Sequence, residues 1–595
     1  MKTKFQETLS RANEVIFRYP LILVMALLAS AGMVCMIENN NEPGLFIVYS
    51  KFTISACLGI SLMFALKMLS QRIGRELALQ LSGTAFLVGF YCFLPDTRND
   101  FTEVYRYIIA ITALLTHLLV SFIPFIRKDK ELSFWQYNKN LFVNIFLTAI
   151  FTGVLTGGVE LAILAIDKLF DFHFNDKVYT YTFFSLAIFG SSFIFLLFND
   201  KGLPSLEKEG AYPIVLKFFT QFILIPLLII YVIILYVYAC KILIHWELPR
   251  GWVSYLILAY SIVGILALLL VYPLKEENSK SWVRIFSKAF YYTIVPLIAL
   301  LFTAIFTRIL EYGYTEPRYF VLLLAIWLLN IVIYFIFNKK GSIKFIPVSL
   351  FMFGAFALIF PYLNAFSVAK RSQKNELLDL LDKQQLLDKG KIDFQQKIAD
   401  TICIEIADKF KFLAERKQTG FLSAFLHSKD QAELIENIKN GNFYGIRYTI
   451  QDKFINSMPS KNNSGETERI ILTPEEQSIA IGGYQYLLHF SRYDQEPQKI
   501  NEDQFKIVDE LSEKSSLKLI LNSKETIELG PQIMKLFEKN KGKQGIVKTP
   551  DTSVEADLGR YHIKLIFKNI IREKFSYSQQ AAIYYEGTYL LVKLK

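Results

Sequence analysis

Eleven stretches of about 20 mostly apolar residues run through residues 17–366, and nothing else in the chain constrains its fold as strongly. A bilayer core about 30 Å thick has no water to satisfy backbone N–H and C=O groups, so a chain of this kind must cross it as helices. The stretches are 17–37, 45–66, 77–94, 104–126, 141–166, 182–198, 214–239, 252–272, 289–306, 319–337 and 345–366. The first lacks a small-residue cleavage site and is too long for a signal-peptide core, so it reads as a retained anchor. Lys51 falls near the end of the second stretch, where its side chain is expected to extend to the headgroups.

The segments between the stretches alternate in charge. With the N-terminus on the cytoplasmic side, the six inner segments hold 21 Lys and Arg residues and the five outer segments hold 9. Cytoplasmic loops carry the excess of basic residues, so this asymmetry fixes an expected orientation. Because a missed stretch would invert the alternation beyond it, the regularity also supports the count of eleven. An odd number of crossings puts everything after Phe366 outside the cytoplasm, in the periplasm of a cell with an inner membrane. The net charge of +11 belongs mostly to this pattern. Residues 1–369 carry 30 basic and 22 acidic residues, and the rest of the chain 35 and 32, so no nucleic-acid-binding face is implied.

The cysteines exclude more than they suggest. Cys35, Cys57, Cys92 and Cys240 lie in or beside apolar stretches, and Cys403 is alone in the C-terminal part, which therefore has no internal disulfide to form. No C-x-x-C pair is present, and the histidines have no metal-ligand spacing, so no metal is expected. Phosphate-binding, dinucleotide and nucleophile-elbow motifs are also missing, and neither a cofactor nor a catalytic residue can be named.

After Pro361 the pattern changes. Leu377, Leu378 and Leu381 mark a helix, with Leu386, Leu387 and Gly390 closing the segment. Phe394, Ile398, Ile402, Ile406 and Phe410 follow at steps of four on a second. From Tyr444 onward short runs read as strands: Gly445–Ile450, Arg469–Leu472, Tyr484–Arg492 and Leu517–Leu521. A helix is expected from Pro531. Tyr561, Ile563, Leu565 and Phe567 then alternate as in a half-buried strand, and Glu586-Gly587 reads as a hairpin turn. The polar stretch Ser457–Glu468 reads as an exposed loop. The expected architecture is a polytopic α-helical membrane domain over residues 1–369, an amphipathic helical connector over 370–440, and an extracytoplasmic β-rich α+β domain over 441–595.

Several segments resemble a known family: Phe134-Trp135-Gln136-Tyr137-Asn138-Lys139, Leu248-Pro249-Arg250-Gly251-Trp252-Val253, Tyr312-Gly313-Tyr314-Thr315-Glu316-Pro317-Arg318-Tyr319, Ile346-Pro347-Val348-Ser349-Leu350 and the exit segment Phe366–Gln373. They resemble the uncharacterised polytopic inner-membrane family catalogued as domain of unknown function 4153. The resemblance is best in the membrane part and weakest after about residue 440. It implies an envelope location and carries no activity, substrate or catalytic residue.

The sharpest candidate for function is Glu160, a carboxylate inside the fifth stretch. Ionisable groups there cost a few kcal/mol and usually face a cavity or a partner. Asp167 and Asp171 follow on the same helical face and would extend it into an outward-open acidic cleft; the alternative is a Glu160 that is neutral or bonded to a neighbouring helix. Gly153-x-x-x-Gly157 would let another helix approach. A second group lies in outer loops: Glu247 and Arg250, then Arg308, Glu311, Glu316 and Arg318 around Tyr312-Gly313. These either form an outward-facing site for an envelope ligand, with arginines meeting phosphate or carboxylate, or fix helix ends and dock the C-terminal part.

Three functions follow in order of preference. The first is a non-catalytic envelope protein that binds or scaffolds envelope proteins or glycans through residues 370–595. The second is a carrier or channel using Glu160, against which stand the lack of a convincing internal repeat and the small number of broken helices. The third is a membrane enzyme acting on envelope or lipid-linked substrates from its outer loops.

Overall fold

A computed structural model describes the chain except residues 1, 127–129, 171, 173, 209–211, 246–251, 276–280, 339–340, 397, 455–467, 476–477, 491–496, 512–515, 541–544 and 575–581. The described residues form two compact units, Met1–Pro459 and Ser460–Lys595.

The first unit is helical. Its opening half holds α1 (Lys2–Arg18), α2 (Pro20–Glu38), α3 (Pro43–Ile73), α4 (Glu76–Phe93), α5 (Glu103–Phe122) and α6 (Glu131–Phe170). Next come α7 (Asp176–Ser185), joined by a π-turn at Leu186–Gly190 to α8 (Ser191–Phe198), the short α9 (Leu203–Leu206), and α10 (Ile214–Phe218), joined by a second π-turn at Phe219–Leu224 to α11 (Ile225–His245). The bundle closes with α12 (Trp252–Leu270), α13 (Ser281–Tyr312), α14 (Glu316–Phe337) and α15 (Phe345–Ile359).

Among the described residues ten helices are long and apolar enough to cross a membrane. The eleventh expected span shortens to α15, whose 15 residues rise about 22 Å at ~1.5 Å each. Pro361 explains the early stop: a residue before proline is pushed out of the α region, and Phe360 has ψ 120°.

Contacts among the helix ends sort them into two sets. At one end Arg11 pairs with Asp200 at 2.7 Å, Arg72 Nε donates to Pro124 O at 3.1 Å, Ile343 N donates to Glu131 Oε2 at 3.1 Å, and Trp135 Nε1 donates to Leu269 O at 2.7 Å. At the other, Lys177 pairs with Glu38 at 3.0 Å, Lys51 with Asp96 at 2.5 Å, and Tyr319 OH donates to Leu363 O at 2.6 Å. Helix α15 begins in the first set and ends in the second, antiparallel to α14, with Trp327 Nε1 donating to Ser349 Oγ at 3.0 Å. It therefore crosses the bundle despite its length. Lys51 is buried against the protein and pairs with the exposed loop residue Asp96 at the helix end, with the Tyr91 ring 4.7 Å away.

A helical module completes this unit: α16 (Ala365–Lys383), a two-stranded hairpin of β1 (Leu387–Asp388) and β2 (Lys391–Ile392), α17 (Asp400–Glu415), α18 (Thr419–Ser423), α19 (Ser428–Lys439) and α20 (Phe443–Lys453). Leu377, Leu381, Ile406, Phe410 and Leu413 form its core. The run 445–450, read above as a strand, lies inside α20. Asn442 starts that helix by accepting Gly445 N at 2.9 Å, and Ile446 and Ile450, four apart, are buried on one face. The polar stretch 457–468 falls almost wholly outside the described residues.

The second unit is built on two sheets. Strands β3 (Glu468–Pro474), β4 (Tyr486–Phe490), β9 (Gly545–Thr549), β11 (Tyr561–Lys574) and β12 (Ala582–Leu594) run in the order β4-β12-β11-β3-β9, with β10 (Ser553–Leu558) also paired to β11. The β3–β9 pair is parallel. Strands β5 (Gln498–Ile500), β6 (Asp503–Glu510), β7 (Ser516–Leu521) and β8 (Glu525–Glu528) make an antiparallel sheet. Helix α21 (Gly530–Glu538) starts beside Pro531, as expected, and buries Ile533 and Phe537. Tyr561, Ile563, Leu565 and Phe567 alternate into the core. Gly587 is not a turn: β12 continues through it with φ +58°, pairing Glu586 with Asn569 and Thr588 with Phe567. At the start of β6, the Tyr561 hydroxyl, the Asn522 amide and the Arg560 guanidinium, each 2.6 Å away, hold the Asp503 carboxyl down to about 2.

Candidate functional site

The loop between α13 and α14 is a mount. Glu316 is fully buried and accepts two hydrogen bonds from Arg416 at the end of α17, Nε to Oε1 and Nη2 to Oε2, both at 2.7 Å. Arg416 also donates to Phe412 O at 2.7 Å and stacks on the Phe412 ring at 3.3 Å. Such a planar, two-pronged pair fixes orientation as well as distance. From α16, Gln373 Nε2 donates to Tyr312 O at 2.9 Å and Tyr314 O at 3.0 Å, while Ser372 Oγ accepts Tyr314 N at 2.8 Å. Gly313 sits between them with φ +72°; a Cβ there would lie 2.6 Å from Glu376 Cγ.

Arg318 turns back on the same loop and donates to Tyr312 O at 3.0 Å and Gly313 O at 2.7 Å. Arg308 and Glu311 lie in the last turns of α13, Arg308 half-buried and Glu311 exposed. The α4–α5 loop joins the mount. Lys417 pairs with Asp100 at 2.7 Å, and Asn99 Nδ2 donates to Lys439 O at 3.1 Å. The Lys417 ammonium and the Thr97 hydroxyl hold the Asp100 carboxyl below the usual carboxylate range. Glu247 and Arg250 lie outside the described residues.

Glu160 belongs to a different arrangement. Past its first turns, where Phe134, Trp135, Tyr137 and Leu141 are buried, helix α6 exposes most of its length and turns inward a stripe of polar residues at steps of four: half-buried Asn140 and Asn144, buried Thr148, Thr152 and Thr156, and half-buried Glu160. Its lower part is satisfied. Asn140 Nδ2 donates to Leu206 O at 2.8 Å, Asn144 Nδ2 to Asn199 Oδ1 at 3.0 Å, and Thr148 Oγ1 to Asn144 O at 2.7 Å. Farther along, Thr152 Oγ1, Thr156 Oγ1 and Glu160 Oε1 are sealed from solvent with no hydrogen-bond partner among the described residues. Asp167 closes the α6–α7 turn by accepting Phe174 N at 2.6 Å and lies 3.4 Å from Lys168 Nζ; Asp171 is outside the described residues. Among the described residues nothing lies within 4 Å of a Cβ built on Gly153 or Gly157, so no described helix seats there.

Beside the stripe, a cavity of about 440 Å³ opens between α2, α3, α5, α6 and α8. Its polar lining is committed elsewhere: Ser61 Oγ donates to Thr116 Oγ1 at 2.8 Å, Ser121 Oγ to Asn138 Oδ1 at 2.7 Å, and His117 Nδ1 contacts Ala113 O at 2.7 Å. What remains toward the void is apolar, suited to hydrocarbon. The π-turn before α8 brings Ser191 and Ser192 to this wall. Within the β-rich unit a larger cleft of about 840 Å³ is lined by Thr473, Asp551, Lys564, Lys568, Asn569 and Tyr589. Among the described residues no group of three or more His, Cys, Asp or Glu side chains is placed to hold a metal.

Two features escape sequence reading. The four-residue recurrence of Asn and Thr along α6 was a visible signal, masked by the high hydropathy around it. Arg416, in a run of charged residues, carries no local sign that its partner stands 100 positions earlier.

The fold defines a polytopic helical membrane protein that carries a mounted helical module and a β-rich unit. The chain belongs to the family described as "Domain of unknown function (DUF4153)", which it matches over residues 21–389, short of its C-terminal third. An uncharacterised protein of Pasteurella multocida is 26% identical over 306 residues, or 50% of this chain and 52% of the relative. The chain thus spans about half the length of that relative. No solved structure matches.

Proposed function

We propose that this chain is an integral protein of a bacterial inner membrane, with a cytoplasmic N-terminus, that presents residues 370–595 in the periplasm as a binding or scaffolding platform of the cell envelope. The bidentate Glu316–Arg416 pair carries this reading. Acid and base that would otherwise form an outward-facing reactive site are spent on seating a module. The segments rich in Lys and Arg are those that gather at the N-terminal end of the bundle, and the mount is built from the opposite set. The polar cleft of the β-rich unit supplies a surface for an envelope protein or glycan.

The test has two arms. A phosphatase fused after Lys595 will be active and a fluorescent protein in the same place dark; the reverse result overturns the orientation. After cross-linking in intact cells, the full chain will carry a defined envelope partner at fixed stoichiometry, including when Glu160 is replaced by Gln.

Glu160 favours a second reading as a carrier, because an unpartnered carboxylate oxygen in a membrane helix is kept at a cost. Under that reading Glu160→Gln abolishes the phenotype complemented by the chain while expression and folding persist, and the chain purifies without a partner. A Glu160→Gln variant indistinguishable from the parent in all three respects removes the carrier reading.

A further inference from the structure

We infer that the end of the bundle bearing the N-terminus holds a site for the phosphate-bearing headgroup of an acidic phospholipid. A cavity of about 500 Å³ opens between the end of α1, the last turns of α3 and the segment around α9. Four cations line it, Arg18, Lys67, Arg72 and Lys201, against one carboxylate, Glu207. Arg72 is the fixed point: Nε donates to Pro124 O at 3.1 Å, Nη1 reaches Glu207 Oε2 at 3.3 Å, and the guanidinium lies 5.1 Å from the Phe125 ring centroid. Gln71 braces the opposite wall by accepting Leu203 N at 2.7 Å; with Gly202 at φ +68°, a Cβ there would lie 2.6 Å from Gln71 Oε1. The wall is thus built, and glycine is needed to build it.

Around this frame the other cations converge. Lys67 reaches back to Glu76 and Arg18 to Glu14, whereas Lys201 has no hydrogen-bond or ion-pair partner among the described residues. Glu14, Glu76 and Glu207 balance three of the four cations, which leaves a surplus positive charge at Lys201 that an anion with several acceptor oxygens meets through charge-assisted hydrogen bonds.

A free phosphate would satisfy the charges alone; the flanks of the site ask for more. Ile16 and Phe17 precede Arg18, Ile73 follows Arg72, and Leu77 follows the Glu76 that holds Lys67; all four are exposed. Ile73 and Leu77 lie at the ends of the membrane helices α3 and α4, and Ile16 and Phe17 in the last turn of α1, just before the first span at Pro20. One amphipathic molecule can cover this apolar rim and place its phosphate among the cations. Basic pockets between membrane-helix ends recognise acidic lipids through this combination. The inference stands whichever end of the bundle is cytoplasmic and whichever function the chain has.

The full-length protein in neutral detergent, titrated with phosphatidylglycerol or phosphatidylcholine and read by native mass spectrometry, tests it. Phosphatidylglycerol is expected to bind about tenfold tighter than phosphatidylcholine. The Lys67→Ala/Lys201→Ala double variant should lose about that preference, and Lys67→Arg/Lys201→Arg should keep it. Lys201→Glu, at an exposed residue without a partner, supplies the same readout if the double variant fails to fold. Equal binding of the two lipids, or an unchanged preference in the alanine and glutamate variants, overturns the site. Displacement of phosphatidylglycerol by inorganic phosphate at similar concentration overturns the lipid assignment in favour of a free phosphate.

Discussion

Replacing Arg416 by alanine will destabilise the helical module by about 3–5 kcal/mol, because it leaves the Glu316 carboxylate buried without its partner. The surrounding contacts give little compensation. Lys417–Asp100 is half-exposed and of the kind worth about 0–1 kcal/mol, and the Gln373 and Ser372 bonds position backbone without neutralising charge. The measurement is hydrogen exchange and limited proteolysis of the full chain in detergent. Helices α16–α20 should lose protection first while α3 and α14 keep theirs. Glu316→Leu/Arg416→Leu should recover most of the loss, since a buried ion pair replaced by apolar side chains is often neutral or better. An Arg416→Ala chain with parental protection in α16–α20 would show that the pair is not the tie described here.

A comparable loss, about 3–5 kcal/mol, is expected from Phe567→Ala in the β-rich unit. The ring is fully buried and meets Tyr585 edge-on at 5.4 Å, and the Phe567 carbonyl accepts the Thr552 hydroxyl at 2.6 Å. It sits where β11 exchanges neighbours, pairing with β10 up to Ile566 and with β3 from Ile570. A void at that junction removes side-chain packing from both halves of the sheet. Amides of β11 and β12 should exchange as one group at lower temperature, while the helices of the first unit stay at their parental values. Joint loss of protection in both units would mean that they do not fold independently.

The membrane part was legible because hydrocarbon leaves a chain few options: length and apolarity pick out the helices able to cross, ten of them among the described residues. The failures have separate causes. Phe360 reads as apolar and continuous with its span, but Pro361 ends the helix from one residue downstream. The 445–450 run offers both β-formers and a four-residue Ile spacing, and packing against α17 decides for helix. Gly587 supplies the positive φ of a turn without the chain turning there. Among the candidate residues, sequence singled out Glu160, Glu316 and Arg318 because charge near apolar segments is conspicuous. It could not find what each one faces. Glu316 meets Arg416 through tertiary folding, and Glu160 ends a stripe whose other members look like ordinary small polar residues.

The brevity of α15 has a consequence for the surrounding lipid. About 22 Å of helix must cross where the hydrocarbon layer is normally about 30 Å deep, and Met352, Phe356 and Ile359 turn outward. A helix shorter than the hydrocarbon layer is accommodated by local thinning, by snorkelling of flanking residues or by oligomerisation, at a cost of fractions of a kcal/mol for each ångström of mismatch. That mismatch falls beside the point where the chain leaves the bundle for its mounted module.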